Sequence, residues 1–375
     1  MTTYDFAIVG AGIAGASLAA RLSQHARVLL LERESAPGYH TTGRSAALYS
    51  ALYGNDCITA ITRASRAFFE QPPSGFCEHP LLAPRGVLYA GGEPDAQAID
   101  AIAASPLAQR ISTARALELV PVLQPASAVH CAYEADAFDL DVNALHTGFL
   151  RQARRAGAVL VCDAGLTTLR RQAGIWQLDT TAGAFAANVV VNAAGAWADA
   201  VAQLAGAQPL GLQPLHRTAI VIEPPAGVDS GRWPAMIAAD ESYYFKPDAG
   251  LLLASPADET PSAACDAQPD DLDIAICVDR LETRTSLRVR RVVRAWAGLR
   301  TFAPDRTPVV GYDPQVDGFF WLAGQGGYGV QTAPALSDIA AALALRRELP
   351  AQVVAEGVDA AMLAPGRFDA GAAAT

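Results

Sequence analysis

The first thirty residues contain a strand, a glycine-rich turn, a helix and a second strand in immediate succession. These four pieces are residues 4–9, 10–15, 16–22 and 27–31. Gly10 permits a tight turn out of the strand, Gly12 lets a pyrophosphate approach the backbone, and Gly15 lets the helix pack closely on the strand. The helix N-terminus then offers N–H groups and a positive dipole end to phosphates. The segment predicts a dinucleotide-binding βαβ unit, with a tight turn in an ordinary α/β protein as the alternative.

An acidic residue stands at the end of the second strand. Glu32 follows Gly15 by 17 residues, where a carboxylate accepts hydrogen bonds from a ribose diol. Its negative charge would repel a 2′-phosphate, which disfavours NADP but does not distinguish NAD from FAD. The position of the unit at residue 4, followed by a second glycine–arginine segment, favours a flavoprotein.

The composition is that of a globular protein of about two domains. The 375 residues are 51% hydrophobic and 18% charged, and the net charge of −10 argues against a nucleic-acid partner. Six cysteines without a CxxC pair predict reduced thiols and a cytoplasmic protein. The histidines have no metal-ligand spacing, so we expect no metal. We also expect neither a signal peptide nor a transmembrane segment, because no run approaches the ~18 apolar residues of a spanning helix.

A second glycine–arginine motif follows the βαβ unit, and further distinctive blocks follow along the chain. Residues 41–49 read TTGRSAALY, and the other blocks are residues 53–54, 64–69, 75–82, 211–214, 240–242, 246–250, 296–300 and 325–329. Together they resemble the D-amino-acid-oxidase (DAO) superfamily of FAD-dependent oxidoreductases over nearly the whole chain. Within it they are most similar to the bacterial D-arginine and D-amino acid dehydrogenases.

The resemblance implies an α/β fold built from two domains. One is a Rossmann-type FAD-binding domain with a glutathione-reductase-like βαβ unit, and the other is an inserted α+β substrate domain with a mostly antiparallel sheet. We expect the FAD-binding domain in residues 1–85, 139–209 and 303–363 and the substrate domain in residues 86–138 and 210–302. The alanine- and glycine-rich tail, residues 364–375, is expected to be loose.

The implied cofactor is noncovalently bound FAD. Arg44 can neutralise phosphate charge, Ser45 and Ala46 are small enough to admit a flat ring, and the glycine-rich turn before the last long helix offers N–H groups to the flavin. A polar loop and simple strand–helix packing are the alternatives for residues 41–49 and 188–197. The expected cofactor contacts are Gly10, Gly12, Ile13, Ala14, Gly15, Glu32, Arg33, Gly43, Arg44, Ser45, Ala46, Ala194, Gly195, Trp197, Gly326, Gly327, Tyr328, Gly329, Val330, Gln331 and Thr332.

Oxidation of an amino acid by a flavin requires a clamp for the carboxylate and a Cα–H bond that faces flavin N5. Arginine suits the clamp because its planar fork pairs with a carboxylate through two bonds. The resemblance assigns this role to Arg217 and Arg300 and places Tyr53 and Tyr244 over the same carboxylate. Judged by the residues alone, an ordinary ion pair is the commoner explanation for an arginine, and core packing is the alternative for the tyrosines.

The expected substrate pocket departs from the pattern of the D-arginine-preferring members. Those members carry a glutamate where this chain has Val87 and a histidine where it has Leu48. A buried guanidinium would lack a partner beside Val87, so we expect weak activity on D-arginine and D-lysine. The expected lining of an apolar pocket is Leu48, Val87, Ala235 and Ile237, with Gly327 and Gln331 near the substrate amine. Lys246 is the only lysine, and an ion pair with Asp248 or a neighbour is its expected role.

These features predict an enzyme that oxidises an apolar or broad range of D-amino acids to imino acids, which hydrolyse to 2-oxo acids and ammonia. Oxidation of glycine, sarcosine or a cyclic imino acid is the alternative within the superfamily. A flavin-binding subunit or redox partner without amine chemistry is the alternative of another class. Three properties stay open: the electron acceptor (a quinone, another carrier or oxygen), the choice between oxidase and dehydrogenase, and the oligomeric state. Binding to a membrane-bound acceptor would be a route by which the protein associates with a membrane.

Overall fold

Two large β-sheets and a small third one form the framework of the protein, which a computed structural model describes for residues 2–371. The strands in chain order are β1 Thr3–Val9, β2 Val28–Leu31, β3 Leu48–Tyr49, β4 Leu82–Pro84, β5 Val87–Gly91, β6 Gln109–Ile111, β7 His130–Glu134, β8 Phe138–Leu140, β9 Val159–Val161, β10 Leu166–Gln172, β11 Ile175–Thr180, β12 Gly183–Asn192, β13 Gln213–Ile222, β14 Ala235–Ala238, β15 Tyr244–Asp248, β16 Leu251–Ser255, β17 Val292–Phe302, β18 Val309–Tyr312, β19 Phe319–Ala323 and β20 Gln325–Gly326.

Several helices begin at a short polar side chain that caps a free backbone N–H group. Asn55 accepts from Ile58 N at 3.0 Å, and Asp141 accepts from Ala144 N at 2.8 Å. The helices are α1 Ile13–Leu22, α2 Asp56–Glu70, α3 Ala96–Ala103, α4 Thr113–Leu119, α5 Val142–Arg155, α6 Ala198–Leu204, α7 Asp271–Arg284, α8 Gly329–Ala344 and α9 Ala351–Ala355.

The first sheet brings the ends of its parallel strands to one edge. Strand β1 pairs in parallel with β2 and β12, and the second half of β12 pairs in parallel with β19. Val9 is opposite both Leu31 and Asn192, so the turns that follow β1, β2, β12 and β19 meet at the carboxyl edge. In open α/β sheets this edge binds nucleotides. Helices α1, α5 and α8 pack on one face around apolar side chains that include Phe149 and Leu336.

The second sheet is mostly antiparallel, as expected from the sequence. In the described chain it has nine strands in the order β20-β17-β13-β16-β15-β14-β5-β7-β6, in which the β14–β5 pair is parallel. Its strands come from residues 86–138 and 210–302, with β20 added from the glycine-rich turn after β19. The α/β fold with a second, largely antiparallel sheet is therefore confirmed. The division into two domains stays a proposal that this distribution of strands supports.

A buried ion pair joins the small sheet, β3-β8-β4, to the nine-stranded sheet. Lys246 on β15 places its Nζ 2.7 Å from Oδ1 of Asp139 on β8, and its side chain is 5% exposed. Arg85 pairs with the other oxygen of Asp139 at 2.6 Å. Lys246 thus has a neighbour from 107 residues away as its partner, and Asp248 is exposed.

The expected loose tail lies partly within the described residues. Residues Pro365–Gly371 form a 3-10 helix, and the Arg367 side chain donates to Asp305 Oδ2 and to the Thr307 carbonyl, both at 2.8 Å. This part of the tail is therefore attached to the turn before β18, and residues 372–375 lie outside the described chain. Between residues 2 and 371 no helix has the length and apolar character needed to cross a membrane.

Candidate active site

A cavity of about 530 Å³ lies between the carboxyl edge of the first sheet and the nine-stranded sheet. The turns after β1, β2, β12 and β19 form one side of it. Residues of β13, β15 and β17 form the other side. The cavity therefore connects the predicted nucleotide site with the predicted substrate clamp.

The glycines of the first turn have the close contacts that the βαβ prediction requires. Gly10 has a φ of +103°, and a Cβ at this position would lie 2.4 Å from the Ala193 carbonyl oxygen. A Cβ at Gly15 would lie 1.9 Å from the Gly10 carbonyl oxygen, so helix α1 packs directly on the turn. Gly12 is the N-cap of α1 and, as a glycine, has no side chain to bond the free N–H groups of the first turn. The end of α1 is a suitable place for the phosphates of a dinucleotide.

Replacing Gly12 by valine is expected to expel the cofactor and leave the fold intact. Gly12 lines the cavity, and its added Cβ would already lie 3.2 Å from Thr42 Oγ1. Overpacking of about 3 kcal/mol corresponds to a Kd for FAD about 100-fold higher. The measurement is flavin fluorescence during titration of the apoprotein. The exposed Gly231→Val variant is the control, and equal FAD affinity in the two variants would contradict this placement.

The carboxylate of Glu32 is buried at the edge of the cavity. Its Oε2 accepts from Ala11 N and its Oε1 from Glu34 N, both at 3.0 Å. Each carboxylate oxygen has a second lone pair, so the group retains capacity for a ribose diol. Beside it, the Arg33 guanidinium lies 4.6 Å from the centre of the Trp197 ring, which adds a cationic and aromatic wall to this end of the cavity.

The guanidinium of Arg44 already has partners on the nine-stranded sheet side. It donates to the carbonyl oxygens of Ala267 and Ala297, both at 2.8 Å, and forms an ion pair with Asp266. These contacts attach the 41–44 turn to the second sheet. The charge that we expected to neutralise a pyrophosphate is therefore balanced by Asp266.

Most of the expected cofactor residues line the cavity. They are Gly10, Gly12, Ile13, Ala14, Glu32, Arg33, Arg44, Ser45, Ala46, Ala194, Gly195, Trp197, Gly326, Gly327, Gly329 and Val330. Gly15, Gly43, Tyr328, Gln331 and Thr332 lie behind this lining. Gly43, for example, donates its N–H to the Gly38 carbonyl at 2.8 Å and shapes the turn.

Sequence reasoning missed another part of the lining, residues 164–167 after β9. Strand β9 pairs in parallel with β2, so its carboxyl end reaches the same edge of the sheet. The helix at 142–155 followed by an apolar strand was the signal that could have found it. Thr42 was also missed, and its Oγ1 accepts from the first N–H of α1, that of Ile13, at 3.0 Å.

Arg300 on β17 lines the cavity and has no carboxylate partner among residues 2–371. Its Nη1 donates to Tyr53 OH at 2.9 Å. Burial opposes the charge, but the phenol oxygens of Tyr53, Tyr244 and Tyr328 outweigh it and raise the pKa of the guanidinium. A Cβ at Gly327 would lie 3.0 Å from the same Nη1, so a side chain there would push the Arg300 guanidinium out of its place. Arg300 is thus a cation that faces a cavity and whose described hydrogen-bond partner is the hydroxyl of Tyr53.

Arg217 lines the same cavity, but its charge is already balanced. Its Nη2 lies 3.1 Å from Glu259 Oε1, and its Nε donates to the Asp258 carbonyl at 2.7 Å. Arg306 holds Glu259 from the other side at 2.9 Å. Burial alone would raise the pKa of Glu259, but Arg306, Arg217 and Arg300 together lower it. The two expected clamp arginines therefore differ, and Arg217 forms the ion pair that was its alternative interpretation.

The four residues expected to line the substrate pocket lie together in one apolar cluster. Val87 and Ala235 are fully buried, Leu48 and Ile237 pack against them, and Val87 is opposite Ala235 in the β14–β5 pair. None of the four lines the cavity. The structure therefore brings these residues together as a packed wall behind Tyr53 rather than as an open pocket.

A buried acid that sequence reasoning missed stands in this cluster. Glu134 on β7 is 1% exposed and pairs directly with Val87 across the two strands, so both side chains are on one face of the sheet. Ser50 Oγ and Tyr89 OH donate to its Oε2 at 2.8 and 3.2 Å. The strand sequence, HCAYE, has no apolar–polar alternation, so no local signal marks this acid as inward-facing.

One group of potential metal ligands occurs among the described residues, where the sequence spacing indicated none. His216, Asp258 and Asp273 have ligand atoms within 4.8 Å of one another. Thr218 N donates to Asp258 Oδ1 at 2.7 Å, and His216 Nδ1 lies 3.2 Å from Asp258 Oδ2. These hydrogen bonds explain why the three side chains lie close together.

Comparisons with known proteins agree with this geometry. The family model for the DAO family, described as FAD dependent oxidoreductase, matches residues 5–343. The uncharacterized oxidoreductase YurR of Bacillus subtilis is 26% identical over 92% of this chain and 95% of its own. The crystal structure of L-proline dehydrogenase from P. horikoshii superposes with a TM-score of 0.81 at 19% identity over 98% of both chains. Glycine oxidase from Geobacillus kaustophilus superposes with a TM-score of 0.79 at 23% identity over 93% of this chain and 96% of its own. The chain therefore belongs to the DAO family of FAD-dependent oxidoreductases, and FAD is its cofactor.

Proposed function

We propose that the protein oxidises the Cα–N bond of an amino acid and that its natural substrates are D-amino acids with apolar or varied side chains. The observation that carries this proposal is Arg300. A partly buried cation that has no carboxylate partner among the side chains the structure describes, at the wall of a flavoprotein cavity, is a receptor for the carboxylate of a ligand. Within the family, we further propose that the D-arginine and D-amino acid dehydrogenases are its nearest functional relatives.

Each group of residues has a defined task in this proposal. The turn at Gly10 and Gly12 and the carboxylate of Glu32 hold FAD, which supplies the hydride acceptor when bound. Arg300 binds the substrate carboxylate, Tyr53 orients the Arg300 fork through its hydroxyl, and Tyr244 closes the wall opposite. Because the chain holds the carboxylate and FAD at fixed places, the Cα–H bond is presented to the acceptor in one orientation. The product imino acid hydrolyses to a 2-oxo acid and ammonia.

The apolar cluster behind Tyr53 supports a preference for apolar side chains. Leu48, Val87 and Ile237 offer no charge to a guanidinium or ammonium, and the acid beside them, Glu134, is buried and already accepts hydrogen bonds from Ser50 and Tyr89. An unpaired buried cation costs several kcal/mol. We therefore expect kcat/KM for D-arginine to be about 100-fold below that for D-leucine, a difference of about 3 kcal/mol.

Anaerobic flavin reduction by a substrate panel tests the proposal. The holoenzyme is mixed with D- and L-amino acids, glycine, sarcosine and proline, and the loss of flavin absorbance is followed in a stopped-flow instrument. We expect fast reduction by apolar D-amino acids and slow reduction by D-arginine. Equal rates with D-arginine and D-leucine would refute the specificity argument. Failure of every amine to reduce the flavin would favour a flavin-binding subunit without amine chemistry.

A second candidate is oxidation of a small amine such as glycine, sarcosine or proline. Two observations favour it. The packing of Val87 and Ala235 leaves no opening for a large side chain in this conformation, and the two structural neighbours described above are named for glycine and L-proline. The same arginine would bind the carboxylate of these compounds. Reduction by the small amines alone in the panel would select this candidate.

A further inference from the structure

The tyrosine that is hydrogen-bonded to Arg300, Tyr53, is the last of four successive residues that begin at Ser50. Hydrogen bonds to Gln331 hold both ends of these four residues. Ser50 N donates to Gln331 Oε1 at 3.3 Å, and Gln331 Nε2 donates to the Tyr53 carbonyl at 3.3 Å and to Thr62 Oγ1 at 3.0 Å. We call residues 50–53 the Tyr53 segment. The Tyr53 ring also lies 4.8 Å from the Tyr328 ring, Leu52 packs against the apolar cluster that contains Val87, and Ser50 binds Glu134.

Glu134 is covered by the Tyr53 segment on one side. Ser50 Oγ donates to its Oε2 at 2.8 Å, and Tyr89 OH donates to the same oxygen at 3.2 Å. The second oxygen, Oε1, is buried and has no hydrogen-bond partner among the described residues. An ionised carboxylate with one unsatisfied oxygen is costly in such a place, whereas a neutral carboxyl is tolerated.

We propose that Glu134 is a positioning residue that holds the Tyr53 segment closed on Arg300 while protonated and favours its opening when ionised. Water reaches the carboxylate when the segment moves away, because Glu134 is 1% exposed and Ser50 of the segment covers it and donates to its Oε2. The consequence for catalysis, an Arg300 clamp that loses Tyr53 as the pH rises, rests on the proposed function. The opening itself does not depend on any substrate.

The direction follows from linkage between proton binding and conformation. Burial, the largest contribution, raises the pKa of Glu134 from 4.5 to about 7, although the bonds from Ser50, Tyr89 and Ala51 oppose this rise. In the open segment the hydrated group returns toward its ordinary pKa. The closed form therefore binds the proton more tightly, and opening becomes more favourable as the pH rises through 7. Between pH 6 and pH 8, one such group increases the opening equilibrium about tenfold.

The other titratable and charged groups around Glu134 lie on the segment itself, on β5 and on the elements beside β7. Tyr89 on β5 is buried, and burial with the nearby Glu134 raises its pKa well above its ordinary value. Tyr53 lies on the segment itself. Asp136, after β7, is ion-paired with Arg66 at 3.0 Å. Helix α3 packs on the same strand, and its Asp100 is exposed and paired with Arg110.

Hydrogen–deuterium exchange of the holoenzyme without substrate tests the proposal. After correction for the intrinsic pH dependence of exchange, protection of the amides in the Tyr53 segment is expected to fall about tenfold from pH 6 to pH 8. Glu134→Gln is neutral at every pH and matches the protonated shape. It is expected to keep high protection at both values, and therefore to be more protected than the wild type at pH 8. If Glu134 were only a structural contact, the Glu134→Gln variant would instead be less protected than the wild type.

Two further variants complete the test. Asp273→Asn removes another acid whose pKa is raised by burial, distant from the segment, and is expected to keep the wild-type pH profile. Ser50→Ala is expected to lower protection at both pH values and to retain the dependence, because Glu134 still titrates. A flat wild-type profile, a step that persists in Glu134→Gln, or lower protection of Glu134→Gln at pH 8 would overturn the proposal. None of these results depends on which substrate the enzyme uses.

Discussion

Replacing Arg300 by methionine is expected to lower kcat/KM for amino-acid-dependent flavin reduction about 10³-fold. Methionine keeps an unbranched apolar stem but leaves the substrate carboxylate in the cavity without a cation. Truncating one partner of a hydrogen-bonded charge pair costs about 4 kcal/mol, which corresponds to this factor. Rates of anaerobic flavin reduction over a range of substrate concentrations measure the effect. Flavin content and thermal unfolding establish that the variant is folded and loaded.

Arg217→Met is the matched control because both arginines line the same cavity. The charge of Arg217 is already balanced by Glu259 at 3.1 Å, so we expect a loss of about tenfold or less. Arg300→Lys is expected to lie between the wild type and Arg300→Met, since lysine keeps the charge but loses the planar fork. Equal losses in Arg217→Met and Arg300→Met would mean that the clamp uses both arginines and that Glu259 is displaced by substrate.

Replacing Asp139 by alanine is expected to lower the free energy of unfolding by about 3 kcal/mol. The substitution leaves the Lys246 ammonium buried without a counter-ion and removes the partner that Arg85 shares with it. Breaking a buried pair by removing one member costs about 3–5 kcal/mol, and the partial exposure of Asp139 favours the lower end. Urea unfolding of the FAD-saturated protein, followed by circular dichroism, measures the change.

Asp248→Ala is the control, because Asp248 lies on the same strand as Lys246 but takes no part in the buried ion pair. Asp248 is two residues after Lys246 and exposed, so its removal should change stability by less than about 0.5 kcal/mol. The double variant Asp139→Leu with Lys246→Met replaces the Lys246–Asp139 pair by apolar groups and should recover most of the loss. If Asp139→Ala and Asp248→Ala were equally stable, the bridge between the two sheets would contribute little.

Most of the residues predicted to contact the cofactor line one cavity, and the determinants of the first turn are close together in sequence. Gly10, Gly12 and Gly15 act within one turn, and Glu32 follows at the end of the next strand. Local backbone geometry requires glycine at these positions whatever the rest of the chain does. The role of Arg44 was less predictable, since its partner Asp266 lies on a segment 222 residues away.

The substrate half depended on strand register that no local pattern reports. Val87 predicted a site without a carboxylate, yet Glu134 faces it from the neighbouring strand. A shift of one residue in that pairing would turn Glu134 to the opposite face of the sheet. In the same way, Arg217 and Arg300 have equivalent sequence signals, and only the position of Glu259 distinguishes them.

The sequence by itself determined the class of the protein: a βαβ unit for a dinucleotide with a free ribose diol, an α/β fold and membership of a flavoprotein family. These depend on short segments whose glycines, apolar runs and acid act over a few residues. Only the tertiary structure decided which arginine is left without a carboxylate partner among the described residues and which acid forms the ion pair with Lys246. It also decided that Glu134 is buried opposite Val87. Charges interact through space over a few ångströms, and the partners concerned are separated by tens to hundreds of residues along the chain.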